Sequence, residues 1–216
     1  MNWTDKINIT NEDNMTLMSR YPDNYFDLAI VDPPYGINVG KMDLGMNKHI
    51  KRATRKIKKW DSQTPNQIYF NELFRVSKNQ IVWGGNYMTN CLPANRGWIF
   101  WDKQVANDCS FSDGELAWTS FDVVLKKVLI PYSGFIGMES IRIHPTQKPV
   151  KLYKWLLQNY AKAGDKILDT HLGSGSIAIA CHQMDFELTG CELDAEYYNA
   201  ALKRFKQQTA QLRLAV

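Results

Sequence analysis

KILDTHLGSGSIAIA, residues 166–180, is the stretch that decides the fold. Lys166–Asp169 is short, apolar in its middle and ends on a carboxylate, which reads as a strand. THLGSGS follows, with Gly173 and Gly175 placed where a backbone can turn tightly and let a ligand come close. Ile177–Ala180 then reads as helix and Leu188–Cys191 as a second strand. Strand, glycine turn, helix and strand make a βαβ unit.

The same alternation recurs on working outward. Lys6–Thr10 reads as a strand, Asn11–Tyr21 as a short helix and Pro22-Asp23-Asn24 as a turn. Phe26–Val31 (FDLAIV) is a continuous apolar run bounded by turn residues, as a strand covered on both faces would be. Ile68–Val76 has helical spacing. Ile81–Trp83 and Trp98–Trp101 read as buried strands, and Leu116–Ser120 with Val123–Leu125 as further extended chain. Val150–Ala161 is an amphipathic helix with Leu152, Trp155, Leu156 and Tyr160 on one face, and Asp194–Gln207 is a charged one. The expectation is an α/β fold with a doubly wound, mostly parallel sheet. A single domain over residues 1–216 is expected, with a basic loop at about 41–60 and small insertions at about 95–141.

Composition narrows the class. The chain is 44% hydrophobic and 22% charged, ordinary for a soluble globular protein, and no apolar run is long enough to span a bilayer. MNWTDKINIT lacks the basic-then-apolar pattern of a signal peptide, so a cytoplasmic enzyme or binding protein is expected. Cys91, Cys109, Cys181 and Cys191 form no C-x-x-C pair and read as reduced, mostly buried thiols. The histidines offer no metal-ligand spacing. Residues 41–60 hold eight basic side chains and one acid, a net +7 in a chain whose total is +4. That concentration suits a strip that meets a polyanion, with Lys51, Arg52, Arg55, Lys56, Lys58 and Lys59 as its candidate contacts.

Two stretches carry chemistry. In the first, the glycine turn follows a strand, and Glu192 ends the next strand about 20 residues on, where an acid accepts hydrogen bonds from ribose hydroxyls. The third glycine of a dinucleotide fingerprint is missing, position 178 being Ala, so a nucleoside cofactor without a pyrophosphate fits better. The second is VDPPYG, residues 31–36. Pro33 and Pro34 fix two φ angles and lack donors, and Asp32 is held extended by the proline after it. The stiff loop presents a carboxylate, free carbonyls and the face of Tyr35 in fixed relation. Such a cradle grips a flat ring bearing an amine. Acceptors on both N–H groups localise the nitrogen lone pair, and Asp32 stabilises the positive charge that develops when the amine attacks a methylsulfonium.

DPPY, followed far downstream by a glycine-rich cofactor turn, resembles the beta group of DNA amino-methyltransferases, a circularly permuted arrangement of the Rossmann-like methyltransferase fold. The resemblance covers nearly the whole chain. It implies S-adenosyl-L-methionine as cofactor and adenine N6 or cytosine N4 in double-stranded DNA as target. Asp32, Pro33, Pro34 and Tyr35 match its catalytic loop. Asp169, Thr170, Leu172, Gly173, Ser174, Gly175 and Ser176 match its cofactor turn, with His171 and Leu172 standing where many members carry Phe or Cys and a small or polar residue. HPTQKP supplies His144, Thr146, Gln147 and Lys148 beside the cofactor's methionine moiety, CELD supplies the ribose acid Glu192, and NEDNM supplies Asp13 for its adenine, with Glu12 where a Gly is usual. Asp32 is counted with the cofactor contacts too. FSDGELAW, residues 111–118, resembles the strand near the target-base pocket. Members of the group are often homodimers, and the resemblance leaves open an orphan enzyme or one with a restriction endonuclease partner.

Rivals explain less. A cytosine-C5 enzyme needs a cysteine nucleophile, usually after a proline, and no Pro-Cys pair occurs. A dinucleotide oxidoreductase accounts for the glycine turn and Glu192 but not for DPPY. The N4-cytosine branch more often has Ser where Asp32 stands, and the protein-glutamine branch Asn. A DNA-binding relative without activity is the reading from another class. Asp32 and Asp169 are expected at the ends of neighbouring strands, Tyr35 on the flipped base, and sequence readout from Asn95–Asn107 and Pro131–Ile141.

Overall fold

The computed structural model describes residues 2–38, 61–105, 112–132 and 143–210. The order is β1 (Ile7–Thr10), α1 (Asn14–Met18), β2 (Phe26–Val31), α2 (Gln67–Val76), β3 (Ser77–Trp83), β4 (Trp98–Asp102), β5 (Gly114–Thr119), β6 (Lys126–Leu129), α3 (Val150–Tyr160), β7 (Lys166–Asp169), α4 (Ser176–Met184), β8 (Glu187–Cys191) and α5 (Ala195–Thr209). A 3-10 turn, Gly85–Tyr87, follows β3. The strands form one sheet in the order β1-β8-β7-β2-β3-β5-β4-β6. Every pair is parallel except β3·β5 and β4·β5.

Alternation within the central strands explains why both faces are covered. Leu28 and Ile30 of β2 enter one core, with Ile81 and Trp83 of β3 and Ile167 of β7. Ala29, Val31, Val82 and Leu168 enter the other. The first core is closed by α3, α4 and α5 through Leu152, Leu156, Ile177 and Phe205. The second is closed by α1 and α2 through Leu17, Phe70 and Leu73. Crossovers from β7 and from β2 therefore lead in opposite directions on opposite faces. The chain order reverses between those two strands, which opens a crevice at their C-terminal ends.

Several boundaries differ from the sequence expectation. The helix expected over Asn11–Tyr21 is Asn14–Met18, because Asp13 caps it: Oδ1 accepts from the Met15 and Thr16 amides at 2.9 and 3.2 Å. β3 starts at Ser77, directly from α2, rather than at Ile81. Val123–Leu125 is not a strand. Val124 and Leu125 are exposed, and the strand is Lys126–Leu129, which buries Val128 and pairs with β4. Among the described residues of 95–141, β4, β5 and β6 are members of the main sheet. The free thiols are buried at Cys181 and Cys191 and half-buried at Cys91; Cys109 lies outside the described residues. No described helix is long and apolar enough to cross a membrane.

The reversed strand brings an acid to the crevice. β5 runs against β3, with Trp83 opposite Ala117, so its first residues overhang the end where the parallel strands finish. Glu115 thereby stands opposite Trp101 of β4, one strand-end away from Lys103.

Candidate active site

A cleft of about 360 Å³ opens at the β7/β2 crevice. Asp13, Asp32, Pro33, Pro34, Tyr35, His144, Thr146, Gln147, Lys148, Thr170, Leu172, Gly173, Ser174 and Glu192 all line it. Asp169, Gly175 and Ser176 lie outside the lining: Asp169 is buried at the end of β7, and Ser176 is buried at the start of α4. The basic strip of Lys51, Arg52, Arg55, Lys56, Lys58 and Lys59 lies outside the described residues, as do parts of both expected readout segments.

The DPPYG loop is held by one acid. Two prolines supply no N–H, and the first two donors after them, the amides of Tyr35 and Gly36, both reach Asp61 Oδ1, at 2.7 and 2.9 Å. Asp61 is buried and its carbonyl accepts from Asn38, which locks the loop's exit. The Tyr35 ring lies against Gly84 and stacks on Tyr87, with centroids 5.1 Å apart and planes 14° off parallel. Gly84, at φ +66°, has no room for a side chain: a Cβ there would sit 2.2 Å from the Tyr35 ring.

Asp32 is surrounded by charge. Its Oδ1 accepts from the Tyr35 hydroxyl at 2.7 Å, and its Oδ2 meets the Lys148 ammonium at 2.5 Å. Lys148, only 2% exposed at its side chain, also contacts Glu115 Oε2 at 3.0 Å and donates to the Tyr35 hydroxyl at 3.2 Å. Lys103 closes the cluster on Glu115 Oε1 at 2.5 Å. Burial pushes the Asp32 carboxyl up, while Lys148 opposes it. Burial also works against charge on Glu115, but Lys148 and Lys103 together outweigh it and hold that carboxyl down at about 2. Lys148 stays protonated because two carboxylates offset its desolvation. Lys148, expected to face the cofactor, thus carries its ammonium to Asp32.

The glycine turn is built differently. Asp169 accepts from the His171 amide at 2.9 Å, and burial pushes its carboxyl up to about 8. Glu192 Oε2 accepts from the Gly173 amide at 2.9 Å and Oε1 from Asp194, which fixes the acid at the rim of the turn. Ser174 and Ser176 hydroxyls are 3.0 Å apart, Ser176 donates to the Lys148 carbonyl at 2.6 Å, and Arg204 donates to the Ser174 carbonyl at 2.8 Å. These bonds tie the turn to the segment carrying Lys148. There, Gln147 Oε1 accepts from the Ile143 amide, and His144 packs edge-on against Tyr197.

Two of the residues that depart from the pattern, His171 and Glu12, find side-chain partners. His171 lies between Asn14, whose amide donates to Nε2 at 3.1 Å, and Thr170 Oγ1 at 2.9 Å from Nδ1. Thr170 continues to the Tyr69 hydroxyl at 2.7 Å. Burial lowers the imidazole to about 4, so the ring is neutral with its proton on Nδ1. Glu12 pairs with Arg20 through both oxygens, at 2.6 and 2.7 Å, and accepts from Thr10. Sequence reasoning missed Asp61 and Glu115. For Asp61 the signal was a single acid just past the basic run. For Glu115 it was an acid in an otherwise apolar strand.

The model of a DNA methylase family, N6/N4 methyltransferases, matches residues 46–203. The type II methyltransferase M.HpaI of Haemophilus parainfluenzae is 24% identical over 232 residues, spanning 86% of this chain and 70% of that protein. M.Cfr9I of Citrobacter freundii is 34% identical over 68 residues, 31% of this chain and 23% of that one. Among solved structures, an M1.HpyAVI–SAM complex superposes with a TM-score of 0.58 at 16% identity, over 91% of this chain and 98% of that one. The PvuII DNA methyltransferase, cytosine-N4-specific, superposes with a TM-score of 0.58 at 12% identity, over 93% and 90%. The fold is that of these methyltransferases, with the DPPY strand ahead of the glycine turn in the chain. By a match that takes in most of its length, the chain belongs to the N6/N4 DNA methylase family.

Proposed function

We propose that the protein methylates the exocyclic N6 of adenine in double-stranded DNA, with S-adenosyl-L-methionine as donor. The single observation that carries this reading is Asp32. A mostly buried carboxyl, paired with the Lys148 ammonium, faces a nucleoside-sized cleft from a proline-stiffened loop.

The cleft's donor set suits the cofactor. Asp169, buried just behind the lining and held by a backbone amide, suits a nearby cation rather than a direct contact. Glu192 is fixed by two amides at the rim of the turn, and a carboxylate there suits ribose hydroxyls. Asp13 spends Oδ1 on its helix and has Oδ2 for an adenine amine. His144, Thr146, Gln147, Thr170, Leu172 and Gly173 complete the wall. When bound, S-adenosylmethionine supplies a methyl group on a positively charged sulfur.

Asp32 has two oxygens and one strong contact on each, which leaves lone pairs for the target amine. Accepting from that amine draws electron density onto nitrogen. As positive charge builds there, the fixed carboxylate stabilises it without reorganising. The nitrogen becomes acidic once alkylated, and its proton passes to Asp32 and on to water. Pro33 and Pro34 keep the carboxylate from drifting. Tyr35 offers the base an aromatic wall, backed by Tyr87. The base must leave the duplex to reach this point, at a cost of about a few kcal/mol. The +7 segment at 41–60 suits phosphate contacts beside it. A homodimer and a restriction endonuclease companion enter through the family alone.

Incubation with unmethylated DNA and cofactor, followed by nucleoside mass spectrometry, tests the reading. N6-methyladenine is the expected product. N4-methylcytosine would move the assignment to the other base, and no methylated nucleoside at all would overturn it.

A further inference from the structure

The proposed reaction uses Asp32, whereas Glu115 and Lys103 form the other half of the buried charge cluster and take no direct part in it. Four side chains converge from four parts of the fold: Asp32 after β2, Lys148 before α3, Glu115 on the reversed β5 and Lys103 after β4. Their contacts run in one line, Asp32–Lys148 at 2.5 Å, Lys148–Glu115 at 3.0 Å and Glu115–Lys103 at 2.5 Å. Two acids alternate with two bases, so the ionised cluster is neutral. The Tyr35 hydroxyl bridges the acids, 2.7 Å from Asp32 and 3.2 Å from Glu115. The Lys148 ammonium also lies over the rings of Tyr35 and Trp83, at 5.6 and 5.3 Å from their centroids.

Resting on the reading of Asp32 as the acceptor for the target amine, we propose that Glu115 is a positioning residue that acts through Lys148: anchored by Lys103, it shares the ammonium with Asp32 and so prevents Asp32 from spending its whole charge on one tight ion pair.

The electrostatics give this a signature with opposite signs. Asp32 is faced by Lys148, Tyr35, Glu115 and Asp169, with Lys103 behind Glu115 and Tyr153 of α3 within its field. Burial raises its carboxyl most, Lys148 lowers it and Glu115 raises it. Removing the negative charge of Glu115 therefore leaves Asp32 as the sole anion on Lys148 and makes it a weaker acceptor. Removing Lys148 leaves two carboxylates bridged by one tyrosine and makes Asp32 harder to ionise. A role confined to packing predicts neither shift.

The test compares wild type with Glu115→Gln, Lys148→Met and Glu115→Asp. Glu115→Gln is expected to lower kcat about tenfold with the KM for S-adenosylmethionine within about twofold, and to move the acid limb of kcat/KM to lower pH. Lys148→Met is expected to move that limb to higher pH, and Glu115→Asp to restore most of the wild-type profile. Carboxyl-carbon NMR titration of Asp32 in the free full-length protein reads the same opposed shifts without turnover. If Lys148→Met does not fold, Lys103→Met replaces it, with the Glu115 carboxyl expected to titrate higher. Opposed NMR shifts in a protein that methylates nothing would support the cluster's role and defeat the functional reading. An active wild type whose Glu115→Gln limb and Asp32 titration stay put would overturn this proposal alone.

Discussion

Asp32 and Asp169 close adjacent parallel strands, and both carboxylates are taken from water, yet only one brings its own cation. Asp32 has the Lys148 ammonium at 2.5 Å and a tyrosine hydroxyl beside it. Asp169 has a backbone amide, with Asp32 and Glu192 raising its carboxyl further and Lys148 opposing them only weakly. A carboxyl with a built-in counter-charge suits a neutral partner, because the lysine offsets part of the burial that pushes it up. One left short of a counter-charge, behind the cleft lining, would ionise only when a cation came near, and on the proposed reading a sulfonium cofactor with a free amino group carries two positive centres. On the proposed reading, the pair of strand ends would divide the labour between the base and the donor.

Removing either side of this contrast should give different losses. Asp32→Ala is expected to cost about a thousandfold or more in kcat while cofactor affinity falls little, read by single-turnover kinetics and calorimetry. Equal losses in both would erase the division. Lys148→Met leaves buried acids without their cation and should cost about 3 kcal/mol of stability by denaturant unfolding, far above an exposed pair. Asp169→Asn is expected to weaken cofactor binding about a hundredfold with kcat at saturation largely kept. It carries a pH signature as well. The folded carboxyl titrates near 8, against an ordinary 3.8, so the native state holds a proton that the unfolded chain has released. Stability from that group is full below about pH 4 and is lost as pH rises to about 8. The Asn variant should therefore melt higher than wild type at pH 8 in the absence of cofactor.

His171 runs the other way. Its folded value is lowered from 6.5 to about 4, so below pH 6.5 the unfolded chain binds a proton that the native ring refuses. Stability should fall by about 2 kcal/mol between pH 6.5 and pH 4, and His171→Gln should flatten that slope in chemical denaturation. The smallest effect is expected away from the strand ends. Arg96→Ala breaks a pair with Asp122 whose side chains are 66% and 86% exposed, and should change stability by less than about 0.5 kcal/mol.

Much of this was legible from local pattern. The apolar runs at Phe26–Val31 and Lys166–Asp169 are strands, and the glycines at 173 and 175 take the positive φ that a tight turn needs. Sequence order also placed Asp32 and Asp169 on neighbours, because strand exits collect at one edge. Glu115 and Asp61 escaped because their meaning is tertiary. Glu115 reaches the site from the start of a strand, which works only when that strand runs backwards, and no spacing in FSDGELAW announces a reversal. Asp61 matters because two prolines upstream leave its amide donors adjacent, a relation across a long intervening segment. Val123–Leu125 misled for the opposite reason: apolar content without a partner edge makes no strand.

The space closed at Gly84 has a practical reach. Because one added carbon there would collide with the tyrosine of the DPPY loop at 2.2 Å, Gly84→Ala acts as a wedge. It would prise an aromatic ring and its hydroxyl off the acid–base row together, while the glycine turn at Gly173 and Gly175, a strand away, keeps its shape. Engineers wishing to change which ring the enzyme grips, and not which donor it consumes, have a methyl-sized handle at this residue.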